Sequence, residues 1–304
     1  MNKAKIRRGA VARPEGKREF LLAQPSGAAP GKRALVLALH GHGASAGVMF
    51  GSQRKWNSAF QQWLAIAERE DILVIAPEGW VGSDGKQGWN DCRADAPSNP
   101  TTDDVGFLTA VIDLALAEYG ADPERIYICG MSNGGAMTYR VALALGPRLA
   151  AIAVLSALMP VHSQCAPPQH ALPVLLCHGT VDKIAPFAGG DIGHWTLRGR
   201  GTGFSAAESA AIWRRLAGLD GEPAVQAFPH RDPKDPTRAV RSTWGQDPAG
   251  MQVVFIEVEG AGHTEPSIAF PLSWAWSAVV GKQNRDIEIG EEIWAFFRDK
   301  RRRA

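Results

Sequence analysis

From residue 33 onward, continuous apolar runs of strand length alternate with segments whose apolar residues recur at helical spacing. The runs "ALVLALHG" (34–41), "ILVIAPEG" (72–79), "RIYICG" (125–130), "AIAVLSA" (151–157), "PVLLCHG" (173–179) and "QVVFIEVEG" (252–260) read as strands. The central runs are apolar throughout, not alternately, which is the pattern of strands covered on both faces. Between them, "KWNSAFQQWLAIAERE" repeats Trp56, Phe60, Trp63, Ile66 and Ala67 at helical intervals. "TTDDVGFLTAVIDLALAEYG" begins with Thr and Asp in capping positions, and "GGAMTYRVALAL" follows the third run. Near the end, Ile289, Ile293, Phe296 and Phe297 form one helical stripe. Alternating β and α segments of this kind predict an α/β fold, with a mostly parallel central sheet and helices on both faces. No internal repeat or low-complexity segment interrupts it.

One stretch breaks the rhythm. Residues 183–251 separate the last two sheet strands by more than a simple crossover needs. The stretch contains a helix-like "SAAESAAIWRRLAGL" and then "AVQAFPHRDPKDPTRAVRSTW", which reads as two strands around a Pro-Asp turn. It is either an extension of the sheet edge or a cap beside a functional site. The organisation expected is an N-terminal extension (1–32) followed by one domain (33–304) carrying this insert, since an α/β chain of 304 residues is commonly a single unit.

Composition narrows the partners. With 33 Lys+Arg against 31 Asp+Glu, the net charge of +2 supplies no field for nucleic acid. The basic ends, "NKAKIRR" and "RDKRRRA", read as solvated tails. The first apolar run, "FLLA", is too short for a signal sequence, and no run reaches membrane-spanning length, so a cytoplasmic protein without membrane contact is expected. The four cysteines have no metal-ligand spacing and are expected to be reduced and structural, Cys129 and Cys177 as small hydrophobes within strands. A bridge between Cys92 and Cys165 stays open, because connectivity is not readable from sequence.

The chemistry concentrates at strand ends. Gly130-Met131-Ser132-Asn133-Gly134 fits G-x-S-x-G between a strand and a helix, the context of a nucleophile elbow. Ser132 would turn in strained dihedrals, and glycines at 130 and 134 would relieve the crowding. The alternative is that Ser132 merely caps the helix. A serine nucleophile needs a histidine base oriented by a carboxylate, following in the order Ser, Asp or Glu, His. Asp182 lies just past "PVLLCHG", and His263 just past "VVFIEVEG". His162, His170, His194 and His230 sit in polar loops with no strand before them. His178 precedes Asp182 and suits a structural hydrogen bond. Asp103 and Asp104 read as helix caps, while Glu257 and Glu259 are too close in sequence to His263 to orient it. For the oxyanion, the backbone N–H of Asn133 would pair with that of His42 in "LHGHGASA", with Gly43 as the alternative.

Taken in order, "LHGHG", "APEGW", "DDVGFL", "DPERIYICGMSNGGAM", "PVLLCHGTVD" and "EGAGHTEP" resemble the polyhydroxybutyrate depolymerase and feruloyl esterase-like branch of the α/β-hydrolases over roughly residues 33–266. The resemblance implies an eight-stranded-type sheet, no cofactor or metal, and hydrolysis of a small-molecule or oligomeric ester by Ser132, His263 and Asp182. Where that branch often has Trp-Pro after the histidine, this chain has Glu265-Pro266, so an aromatic subsite wall is absent or supplied elsewhere. Trp80, Trp89, Trp274 and Trp276 are the candidates to line a cleft, whereas Trp56, Trp63, Trp213 and Trp294 lie among apolar residues and read as core. A peptidase or amidase on the same scaffold, or a non-catalytic binding protein, are the rival readings.

Overall fold

The computed structural model describes residues 3–27, 31–52, 57–193 and 199–303. Trp56 and His194, singled out above, lie outside the described residues. The six apolar runs form β3 (Arg33–Leu39), β4 (Leu73–Pro77), β5 (Ala121–Met131), β6 (Ala151–Leu155), β7 (Val174–Gly179) and β10 (Val253–Glu259). They pair in parallel in the order β4-β3-β5-β6-β7-β10. In β3 the pleat sends Leu35, Leu37 and Leu39 to one face and Ala34, Val36 and Ala38 to the other, and every one is buried. One face is covered by α3 (Asp104–Glu118), α4 (Asn133–Leu145) and α5 (Ala206–Leu216). The other is covered by α1 (Ala46–Met49), α2 (Trp63–Glu70) and α6 (Ile289–Phe297). The apolar character of the central runs is thus explained, because neither face of those strands meets water, whereas in β10 Glu257 and Glu259 are exposed.

The sheet has ten strands, two more than the resemblance implies, because antiparallel pairs extend both edges. At one edge, β1 (Lys5–Arg13) and β2 (Gly16–Gln24) form a hairpin that pairs with β4. The basic "NKAKIRR" therefore enters β1 at Lys5 as sheet and not as a loose tail, with Lys5, Ile6, Arg7 and Arg8 still exposed. Arg18 of β2 is buried, bound to Asp104 at 2.7 Å and to Glu15 at 3.0 Å, and stacked over Phe107 at 4.0 Å. Asp104 is therefore the partner of a buried guanidinium, while Asp103 alone caps α3 by accepting from the Gly106 N–H. At the other edge, β8 (Ala224–Ala227) and β9 (Arg238–Trp244) pair antiparallel and add to β10. The Pro-Asp stretch is thus an edge extension. A capping box of Ser205 and Glu208 starts α5 in the same insert. Trp63, Trp213 and Trp294 are core.

In the C-terminal segment Arg298, Asp299, Arg301, Arg302 and Arg303 are exposed as expected, and Lys300 is the exception. Lys300 is buried, its Nζ bonded to Gln252 Oε1 at 2.7 Å and to the Pro248 carbonyl, and burial pulls its pKa down to about 8. Tyr127 of β5 donates to the Lys300 carbonyl at 2.8 Å and stacks on Phe297. The aromatic core under α6 thereby fixes the chain past the helix.

Two of the four cysteines, expected as thiols, are bridged: Cys92 bonds to Cys165 across 73 residues, and Cys129 and Cys177 remain free and buried. The bridge pins the loop after β4 to the segment between β6 and β7. No helix among the described residues is long and apolar enough to cross a membrane. Thiol titration of the unfolded protein is expected to find two thiols before reduction and four after. The Cys92→Ala/Cys165→Ala double variant is expected to lose up to roughly 4 kcal/mol of stability on the loop-entropy argument. A denaturation midpoint equal to wild type would contradict that expectation.

Candidate active site

The strand β5 and helix α4 meet in a turn that only small residues allow. Ser132 holds φ 57° and ψ −120°, a region that side chains rarely occupy. A Cβ at Gly130 would stand 2.3 Å from the Gly134 carbonyl oxygen, and one at Gly134 would stand 2.3 Å from the Leu39 carbonyl oxygen. Both glycines are thus required by backbone contact. The Ser132 N–H donates to Leu155 O at 2.8 Å and its carbonyl accepts from Ala136 N at 2.9 Å, so the strained residue is bonded on both sides. Its side chain makes no cap bond to α4, which removes the capping alternative.

Asp182 and His263 come together from neighbouring strand ends. His263 Nδ1 lies 2.8 Å from Asp182 Oδ2, and the other carboxylate oxygen accepts from the N–H groups of Ile184 and Ala185. Burial by itself would raise the Asp182 pKa. The charge and hydrogen bond of His263, then His178 and the Ala185 N–H, outweigh burial and hold the carboxyl below its ordinary value. His178 has the structural place expected of it, with Nε2 2.8 Å from the Ala185 carbonyl and 3.4 Å from Asp182. Close backbone approach also shapes the histidine loop, since a Cβ on Gly262 would meet Val280 O at 2.1 Å. Ser132 and His263 open into the same cavity, of about 810 Å³.

The loop after β3 passes beside this serine. His40 is fully buried: its Nδ1 donates to Gly41 O at 2.8 Å, and its Nε2 accepts from Gly79 N at 2.9 Å. Burial pulls its pKa down to about 4, so it is a neutral strut with a fixed tautomer. Gly43 donates its N–H to Gln87 O at 2.7 Å, which occupies the alternative oxyanion donor. The N–H groups of His42 and Asn133 have no protein acceptor among the described residues, and both residues line the cavity.

Sequence reading missed what holds Asn133. Its Oδ1 accepts from Trp89 N at 2.8 Å, and its Nδ2 donates to Trp89 O at 3.2 Å and to Asp91 Oδ2 at 2.7 Å. Asp91 is wholly buried and ion-paired with Arg93. Burial raises its pKa, but Arg93 and Asn133 overcompensate and keep it low. The Asp-x-Arg spacing next to Cys92 was the available signal, within a stretch legible only as loop. Glu265 was noted only as a departure; its carboxylate accepts from Ser58 Oγ at 2.8 Å and from Ala59 N at 2.5 Å.

Of the four tryptophans expected at the cleft, Trp276 lines the cavity. Trp89 does not; it is fully buried, its Nε1 donating to His40 O at 2.8 Å, so it buttresses the loop after β3. Trp80 lies over Arg18 at 5.1 Å, away from the cavity lining, and Trp274 is 86% exposed and outside it. His162 and His170 are outside the lining too, and His230 pairs with Asp286 at 3.1 Å. No group of three or more metal-ligating side chains occurs among the described residues.

Comparison with known proteins agrees with this architecture. Residues 26–198, more than half of the chain, match the model of the phospholipase/carboxylesterase family. NocK of Nocardia uniformis subsp. tsuyamanensis, named as an esterase, is 30% identical over 275 residues, covering 89% of this chain and 75% of that protein. Feruloyl esterase B of Piromyces equi is 28% identical over 254 residues, but this chain spans only 43% of its length and 82% of its own. The solved acetyl xylan esterase of Aspergillus awamori superposes with a TM-score of 0.58 at 14% identity, over 95% of this chain and 98% of that one, a likeness of fold. With the elbow, the mostly parallel sheet and the matched family together, the chain belongs to the phospholipase/carboxylesterase family of α/β-hydrolases, serine hydrolases of carboxylic esters.

Proposed function

We propose that Ser132, His263 and Asp182 act as a proton-relay triad that cleaves carboxylic esters through an acyl-enzyme, with hydroxyalkanoate-type or aromatic acyl esters as the substrate class. The observation that carries this reading is the 2.8 Å bond between His263 Nδ1 and Asp182, formed beside the cavity into which the strained Ser132 also opens. With Nδ1 directed to the carboxylate, Nε2 is the nitrogen left to take a proton. Ser132 Oγ attacks the ester carbonyl while His263 accepts its proton. The N–H groups of His42 and Asn133 hold the oxyanion, and His263 then protonates the departing alcohol. Water deacylates the enzyme by the same steps with roles reversed.

The cavity volume suits an aromatic acyl group or a short oligomer, and Trp276 supplies an aromatic wall where Glu265 replaces one. The Cys92–Cys165 bridge favours work in an oxidising compartment over the cytoplasm expected above. An unmodified pair of thiols in protein isolated from its native source would overturn that placement.

The Ser132→Ala variant is expected to retain the wild-type unfolding midpoint and lose turnover of 4-nitrophenyl acetate; hydrolysis at the wild-type rate would refute the nucleophile. For Asp182→Asn, the wrong histidine tautomer should lower kcat by roughly 10²–10⁴ with little change in KM. A kcat within a factor of about 3 of wild type would remove Asp182 from the relay.

A further inference from the structure

The cavity carries a charge arrangement that ester cleavage itself does not use. Lys86, Arg93 and Arg200 line it, whereas the carboxylates nearest to them, Asp84, Asp91 and Asp95, stand outside the lining. Each nitrogen of Arg93 is engaged: Nε bonds Asp91 at 3.0 and 3.1 Å, one terminal nitrogen bonds Asp91 Oδ2, and the other donates to the Arg200 carbonyl at 2.5 Å. Arg93 therefore fixes the backbone that presents the next guanidinium.

Arg200 is different. It is only 6% exposed, yet the one hydrogen bond of its guanidinium among the described residues is from Nη1 to Ser98 Oγ at 2.5 Å. The nearest carboxylate, Asp84, is 3.8 Å away, beyond hydrogen-bond reach, and its Oδ2 lies 2.8 Å from His42 Nε2 instead. Burial, then Arg93, pulls the Arg200 pKa down to about 10, which leaves it charged at neutral pH. A nearly buried guanidinium with open donors beside a cavity is costly unless an anion completes it, and its planar fork matches a carboxylate. Lys86 adds a second cation: its N–H bonds Asp84 at 3.1 Å, and its ammonium has no ion pair among the described residues. The lining's own carboxylate, Glu265, cannot complete Arg200, because Ser58 and Ala59 hold it.

We propose that Arg200, assisted by Lys86, is an anion subsite of this cavity, and that the preferred substrates are esters bearing a free carboxylate on the acyl or the alcohol side. The proposal rests on the serine esterase reading above and names the substrate class of that site. Two matched pairs test it: the 4-nitrophenyl monoester of glutaric acid against its primary amide for the acyl side, and 3-acetoxybutyrate against 3-acetoxybutanamide for the alcohol side. In wild type, kcat/KM for the acid should exceed that for the amide by about tenfold or more in at least one pair, the advantage of a charge-assisted hydrogen bond. Arg200→Gln should bring that ratio near one, and Arg200→Lys should keep part of it. Should Arg200→Gln fail to fold, the wild-type protein still decides: free glutarate should inhibit hydrolysis of 4-nitrophenyl butyrate competitively, and glutaramide should not. Ratios near one in both wild-type pairs, a ratio unchanged in Arg200→Gln, or equal inhibition by glutarate and glutaramide would overturn the subsite. If the ratios are near one while Ser132→Ala still abolishes turnover of acid and amide alike, the esterase reading stands and the subsite alone falls.

Discussion

The site depends on a steric constraint at residues 130–134, where β5 turns into α4 against the end of β3. The Gly134 Cα lies so close to the carbonyls of Leu39 and His40 that a methyl group would overlap both. This approach forces Ser132 into left-handed φ and seats the start of α4 beside the loop that carries His42. Strain of this kind costs about 1–3 kcal/mol and persists only where the surroundings determine it. Here they do, through backbone bonds on both sides of Ser132 and a buried side-chain network beneath Asn133.

That network shows what holds a polar loop in place. Asp91, Arg93, Asn133 and Trp89 bond one another out of water, and the adjacent Cys92–Cys165 bridge ties the loop to the segment after β6. Trp89 in turn holds His40, whose neutral imidazole receives the Gly79 N–H. Within this set the buried polar groups bond one another, which ties the loop after β3 to the loop after β4. Arg200 is where this pairing is left incomplete, and it is left so at the cavity.

The strands and helices were legible because burial on both faces leaves an unmistakable composition, as in "ALVLALHG" and "ILVIAPEG". The positions of Ser132, Asp182 and His263 were legible because each follows such a run, and His178 could be set apart by its order. What sequence did not reveal depended on contacts between distant segments. Trp89 looked like a cleft residue because its loop is polar, yet it is buried against His40, 49 residues away. Lys300 looked solvated, since nothing local shows that Gln252 and Pro248 surround its ammonium. The edge hairpin at 5–24 was obscured by its basic outer face, although Phe20 and Leu22 are core.

The most direct test of the central claim is covalent labelling by a fluorophosphonate, followed by mapping of the modified peptide by mass spectrometry. The account requires one adduct per chain, on Ser132, the hydroxyl proposed as the nucleophile. Absence of labelling in folded protein, or an adduct at a different residue, would contradict it.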